Sequence, residues 1–193
     1  FPARTDKLWL VIESLFRQTH QPDKIILWLS QDQFPTLDAV PASLLKMRSR
    51  GLQIELREGD IRSHKKYYYT QSEYPDDIMV TVDDDIFYHS QLLETLWTDH
   101  LQHPEAIISN HSHQLVFDKE GRLQTYSSWH FNAQGPSDLF FIGAGGNLFP
   151  PHALASEVTD IAMARATCPA GDDIWLNAMA RLQGTPIVHS SMK

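Results

Sequence analysis

From Thr5 to Thr19 the apolar residues Leu8, Trp9, Ile12, Leu15 and Phe16 recur at spacings of three and four, the period of a helix that buries one face. Thr5 or Asp6 stands where a capping side chain is favoured. Pro22-Asp23 breaks the pattern, and Lys24 to Leu29 is almost continuously apolar, as a strand covered on both faces should be. A polar loop opens at Ser30. Ala42 to Arg50 returns to helical spacing and closes on Gly51, and Leu52 to Leu56 alternates apolar with polar residues like a strand. Ser63 to Glu73 predicts a third helix, stopped by Pro75-Asp76-Asp77. Ile78 to Val82 then predicts a buried strand running straight into Asp83-Asp84-Asp85. Gln91 to Gln102 reads as a helix and Ala106 to Ser109 as a strand leading to His111-Ser112-His113.

This alternation predicts an α/β fold, a mostly parallel central sheet flanked by helices. The rhythm changes afterwards. Gln114 to Phe117 and Leu123 to Tyr126, joined through Asp118-Lys119-Glu120-Gly121, predict a small β-hairpin. A polar stretch with Pro136 leads to the apolar Leu139 to Ile142, which Gly143-Ala144-Gly145-Gly146 interrupts. Asp172 to Arg181 predicts a helix with Ile174, Trp175, Ala178 and Met179 on its apolar side, closed by Gly184, and Ile187-Val188 a last short strand. With no repeat and no low-complexity tract, residues 1–193 read as one domain.

Composition narrows the function. At 42% hydrophobic and 21% charged the chain has globular proportions and is not a disordered one. A formal charge of −8 argues against nucleic acid, whose phosphate backbone needs basic surface. No apolar run approaches the length of a membrane span, and the sequence does not open on a basic n-region followed by an apolar h-region. The single cysteine, Cys168, cannot form an internal disulfide, and a cytoplasmic location is expected.

Three consecutive carboxylates after a buried strand raise one another's pKa unless a cation neutralises them. Strand geometry would put Asp83 and Asp85 on one side, where hard oxygen ligands suit Mg²⁺ or Mn²⁺. A solvated acidic turn is the plainer alternative. Asp172-Asp173 opens a helix, where capping and the helix dipole favour carboxylates without any chemistry. The glycines at 143–146 let backbone approach a ligand, though neither a phosphate loop nor a dinucleotide fingerprint is matched. Arg62, His64, Lys65 and Lys66 form the most basic cluster of an acidic chain, and His111 and His113 share one face of an extended segment.

Taken together, Thr81-Val82-Asp83-Asp84-Asp85, the later Gly143-Ala144-Gly145-Gly146 and the acidic pair before Ile174-Trp175 resemble nucleotide-sugar-dependent glycosyltransferases of the GT-A fold. Phe1-Pro2-Ala3-Arg4, Ile12-Glu13-Ser14-Leu15 with Gln18-Thr19, Pro22 to Leu29, Tyr74 to Ile78 and Asp172 to Trp175 narrow the likeness to family-two-like bacterial enzymes that build capsule or lipopolysaccharide glycans. The resemblance implies a nucleotide-sugar half over 1–110 and an acceptor half over 111–193, with a first strand upstream of Phe1. It implies that Asp83, Asp85 and His189 hold Mn²⁺ or Mg²⁺, and that Arg4, Asp60, Lys65 and Asp84 lie beside the donor, for which a UDP-sugar is favoured. Gly145, Gly146 and Trp175 would line the donor-sugar and acceptor cleft. Asp173, with Asp172 beside it, would be the base of an inverting reaction on a glycan or lipid-linked glycan acceptor, which could draw the protein to the inner face of the plasma membrane. A metal-dependent phosphohydrolase or nucleotidyltransferase, and a sugar- or nucleotide-binding module without catalysis, are the competing readings.

Overall fold

The computed structural model describes residues 2–131 and 138–192; Phe1 and the Pro136 stretch lie outside them. Helix α1 (Thr5–Phe16) forms as its periodicity predicts. Its start is not capped by a side chain, because Thr5 turns its hydroxyl back onto the Pro2 carbonyl. Strand β1 (Ile25–Ser30) lies parallel to β2 (Leu52–Arg57), in register from Ile25 opposite Leu52 to Ser30 opposite Arg57. Between them runs α2 (Ala42–Met47), continued by a 3₁₀ turn that Gly51 ends with a φ of 108°, a value glycine adopts without strain.

The predicted third helix divides in two. Arg62–Lys66 is a 3₁₀ turn and only Tyr68–Glu73 is α-helix, α3. The cause is His64, fully buried, whose Nε2 donates to the Cys168 carbonyl 2.8 Å away while Nδ1 meets the Tyr67 hydroxyl at 2.9 Å. An imidazole committed to a distant backbone holds this segment in a geometry that a regular helix would not reach.

Beyond it come β3 (Met79–Thr81), α4 (Leu92–Gln102), β4 (Ile107–Ser109), β5 (Ser112–Gln114), β6 (His130–Phe131), β7 (Leu139–Phe141), β8 (Asn147–Phe149), α5 (Ile161–Thr167), α6 (Asp172–Gln183) and β9 (Ile187–His189). The four-stranded sheet has the order β3-β8-β4-β9, and β6-β5-β7 form a separate antiparallel sheet. The α/β class is as expected. The parallel arrangement holds for β1 with β2 and for β4 with β9, but β8 runs antiparallel to both of its neighbours, so the central sheet is mixed. The sequence pattern misses β8 because it follows directly on the glycines that reverse the chain, and it misses α5 entirely. The predicted hairpin is reduced to one antiparallel bridge, Phe117 with Leu123.

Alternation along the central strands explains the layering. Ile108, Leu148, Val80 and Val188 face one hydrophobic cluster, with Leu8, Ile12 and Leu15 of α1, Leu44 of α2 and Leu92 and Leu96 of α4. Their strand neighbours Ile107, Phe149, Met79 and Ile187 face the other, with Trp175, Leu176 and Met179 of α6. Helices on both faces leave the strand ends as the place where polar groups can gather.

Candidate functional site

The acidic triplet is not strand. β3 ends at Thr81, and the Asp83 N–H donates to the Tyr88 hydroxyl (2.7 Å) instead of to a neighbouring strand. The alternation expected to put Asp83 and Asp85 side by side therefore does not apply. Lys66 Nζ pairs with Asp83 at 2.5 Å, whereas Arg4 reaches both Asp84 (3.1 Å) and Asp85 (3.0 Å).

The segment that follows the triplet is held by Ser14 of α1 and by the residues just beyond its end. Gln18 is buried, and its amide donates to the carbonyls of Ser14 and His89 and accepts the Leu93 N–H. Thr19 adds a backbone bond to the Ser90 carbonyl, and Ser14 accepts the Tyr88 N–H. Tyr88 in turn donates its hydroxyl to the Ala144 carbonyl at 3.3 Å, tying the triplet to the glycine turn. Burial pushes the Tyr88 hydroxyl pKa up, and it remains a neutral donor.

The second acidic pair arrives from α6. Asp172, only 6% exposed, lies 2.8 Å from Lys66 Nζ, so one ammonium bridges the triplet and the pair. Burial lowers the Lys66 pKa, but Asp172 and Asp83 more than reverse this, and the group stays charged. Asp173 sits against the glycine turn: a Cβ on Gly143 would stand 2.6 Å from Asp173 Oδ1 and 2.8 Å from Lys66 Nζ. The Asp173 carboxyl is pushed above the usual range, first by burial and then by Asp172, against the lowering effect of the Gly143 N–H and Lys66. Asn177, one turn along α6, fixes this placement. Its amide accepts from Phe141 N–H and donates to the carbonyls of Phe141 and Asp173.

Sequence reasoning missed Asn177, Gln18 and His64 as positioning residues and Lys66 as the bridging cation. For Asn177 a signal existed, an amide on the apolar side of α6. For His64 none did, because its partner is a backbone carbonyl far along the chain.

Asp60 and Lys65 form an ion pair beside this cluster, with Gln33 Nε2 (2.7 Å) and the Arg62 N–H (2.9 Å) also donating to Asp60. Burial raises the Asp60 pKa, but Lys65 and the Arg62 N–H outweigh it and the net shift is downward. Gly145 packs its Cα face on His111, whose Cγ a Cβ would approach to 2.7 Å, and Gly146 takes a φ of 87° against Leu92. Trp175 is placed in the core, its indole N–H on the Val158 carbonyl, rather than on the cleft.

His189 is on the far edge strand of the central sheet, with β8 and β4 between it and β3, and its Nδ1 faces the Ser112 hydroxyl at 2.9 Å. Among the described residues no three His, Cys, Asp or Glu side chains converge on a point that could hold a metal ion. The donor set does not fit Mn²⁺ or Mg²⁺ in this arrangement, since each carboxylate of the triplet is neutralised by a cation of the chain itself.

What these elements assemble is one largely sheltered ammonium paired with Asp83 and Asp172, and beside it a glycine turn whose Gly143 N–H bonds Asp173. Such a site can accept a proton at Asp173 from a group lying on the glycine turn. No family model matches the chain, and no curated protein matches it either. Among solved structures, the crystal structure of UDP-glucose pyrophosphorylase complexed with UDP-glucose aligns with 96% of this chain and 78% of its own, at 9% identity and a TM-score of 0.47.

Proposed function

We propose that this chain is a nucleotide-sugar-dependent glycosyltransferase acting with inversion on a glycan hydroxyl, in bacterial surface polysaccharide synthesis. The observation that carries the reading is Asp173. Its carboxyl has a raised pKa, and it is oriented by an N–H of the glycine turn that follows the apolar strand β7. A base tuned upward from the ordinary carboxylate range abstracts a hydroxyl proton more readily once ionised.

In the proposed reaction the acceptor hydroxyl gives its proton to Asp173 while its oxygen attacks the anomeric carbon. The bond from that carbon to the diphosphate oxygen breaks, and its electron pair leaves with the nucleoside diphosphate. Arg4 and Lys65, which pair here with Asp84, Asp85 and Asp60, would turn to the diphosphate of the donor, favoured as a UDP-sugar, and leave Asp60 and Asp84 as acceptors for its hydroxyls. Gly145 and Gly146 leave room for the sugar. No step is assigned to a metal.

The same proposal places the enzyme in the cytoplasm, at the inner membrane face when its acceptor is lipid-linked. No helix among the described residues is long and apolar enough to cross a membrane.

The test is calorimetric titration with UDP, GDP, CDP and ADP, with and without Mn²⁺, on the wild type and on Asp83→Ala/Asp85→Ala. Binding of one nucleotide that the double variant loses supports the donor site, and a requirement for Mn²⁺ restores the metal. Binding of none overturns the reading. Release of free phosphate or nucleoside monophosphate from the nucleotide-sugar would favour the hydrolase or nucleotidyltransferase instead.

A further inference from the structure

The small sheet β6-β5-β7 has one face in the core, where Leu139, Phe141 and Ser112 are buried. Alternation turns Phe140 and His113 the other way, and the register sets Phe131 and Phe140 directly opposite His113 on its two sides. Further rings extend this outer face. Tyr126 stacks on His113 with centroids 5.2 Å apart and planes at 28°, and Phe131 meets His113 edge-on at 4.9 Å. Trp129 joins Tyr126 (5.2 Å) to Phe140 (5.3 Å), and His111 lies 5.8 Å from Phe131.

An antiparallel sheet that faces water ordinarily turns polar side chains outward. Here Tyr126 and Phe131 keep 61% and 60% of their surface exposed. Rings left in water add little to folding, and a contiguous exposed patch of them marks a binding surface.

We propose that this aromatic face is the acceptor platform, on which uncharged pyranose units stack through their C–H faces. The proposal rests on the glycosyltransferase reading. Continuity supports it, because β7 runs through Ile142 into Gly143, whose N–H holds Asp173, and Ile142 N–H donates to the His111 carbonyl at 2.8 Å. The sheet that carries the rings is thus continuous with the turn that orients Asp173. Charge supports a neutral ligand. Arg122 is paired with Asp118 and Glu120, and Arg181 with Asp138, so these arginines are outnumbered by their own carboxylates and give the margin no net positive charge to attract phosphates. Burial, then His111, lowers the His113 pKa, which leaves its ring uncharged near neutral pH. The rings also present polar edges, the Tyr126 hydroxyl and His113 Nε2 lying 3.5 Å apart.

The experiment is saturation-transfer NMR on the whole chain with maltohexaose, cellohexaose, chitohexaose and mannohexaose. It is repeated on Tyr126→Ala, on Tyr126→Ala/Phe131→Ala and on Leu101→Ala, an exposed control on α4. The expected result is transfer from aromatic protons to at least one saccharide. Affinity should fall about tenfold in the double variant, where two stacked rings are lost, and stay unchanged in the control. UDP binding, measured on the same samples, should be the same in all of them. No transfer to any saccharide in the wild type overturns the proposal, as does binding that survives the double variant. Sedimentation with phosphatidylglycerol vesicles that the double variant loses, without saccharide binding, overturns it in favour of a membrane. Saccharide binding without nucleotide binding would overturn the glycosyltransferase reading, and with it the acceptor role, while leaving a saccharide-binding face; nucleotide binding without saccharide binding would overturn the platform alone.

Discussion

The two acidic groups, Asp83-Asp84-Asp85 and Asp172-Asp173, are made of the same residue and end in opposite electrostatic situations. Three adjacent carboxylates look the more costly in sequence, yet Asp84 and Asp85 project where water and the half-exposed Arg4 screen them. The helix pair looks ordinary, an acidic start that any helix favours. It is the pair that lies deeper, with Asp172 buried against a sheltered lysine and Asp173 half-buried and carrying the raised pKa. The cost of a charge is set by solvent and partners in space, not by how many like charges adjoin it along the chain.

Asp173→Asn should break the comparison most sharply. Turnover should fall by about 10²–10⁴-fold, the usual contribution of a general base, while calorimetric affinity for UDP stays as in the wild type. Stability should move the other way. Because burial and Asp172 raise the Asp173 pKa in the folded state, the proton is held more tightly folded than unfolded. The wild type therefore loses stability as pH rises through that titration, and the asparagine variant lacks this loss. Its advantage in melting temperature should grow from acid to neutral pH; a constant difference would contradict the assignment.

Lys66→Met comes next. It leaves Asp172 and Asp83 without their shared cation, and removal of one partner from a buried ion pair costs about 3 kcal/mol. Urea unfolding reads the loss, and Lys66→Met/Asp172→Asn should recover most of it. If the single variant is as stable as the wild type, the lysine is not the keystone of this cluster.

Gly143→Ala separates position from stability. The new methyl meets only the movable ends of Asp173 and Lys66, so the fold should survive with a near-wild-type melting temperature. Displacement of the base by a fraction of its contact distance should still lower turnover on the order of 10²-fold. The smallest effect belongs to Arg4→Ala, whose pairs are exposed and screened. Its melting temperature should be indistinguishable from wild type, and any change should appear as weaker nucleotide binding with a shallower salt dependence.

Much of the frame was legible because it is written in local periodicity. α1, β1, β2, α4 and α6 fall where three-and-four spacing, continuous apolar runs and terminal glycines place them. Short elements next to glycine were not legible. β8 has three residues after a turn, too few for a period, and its antiparallel direction depends on the reversal at Gly143–Gly145. Of the expected site residues, Asp83, Asp172 and Asp173 gather around Lys66, and Asp60 and Lys65 pair with each other. Trp175 goes to the core because its indole N–H finds a backbone acceptor there, and His189 goes to the distant edge because β8 and β4 insert between the strands.

The sequence by itself determined the α/β class, the strand that carries the acidic triplet to the end of the sheet, and which residues have the chemistry to act, since all of these follow from side-chain type and short-range spacing. Only the tertiary structure decided which carboxyl of the helix pair carries the raised pKa and which cation stands between the two acidic groups. Those outcomes depend on burial and on contacts between residues far apart in the chain, such as Lys66 with Asp172 and Gly143 with Asp173. Such contacts exist only once both faces of the sheet have been covered.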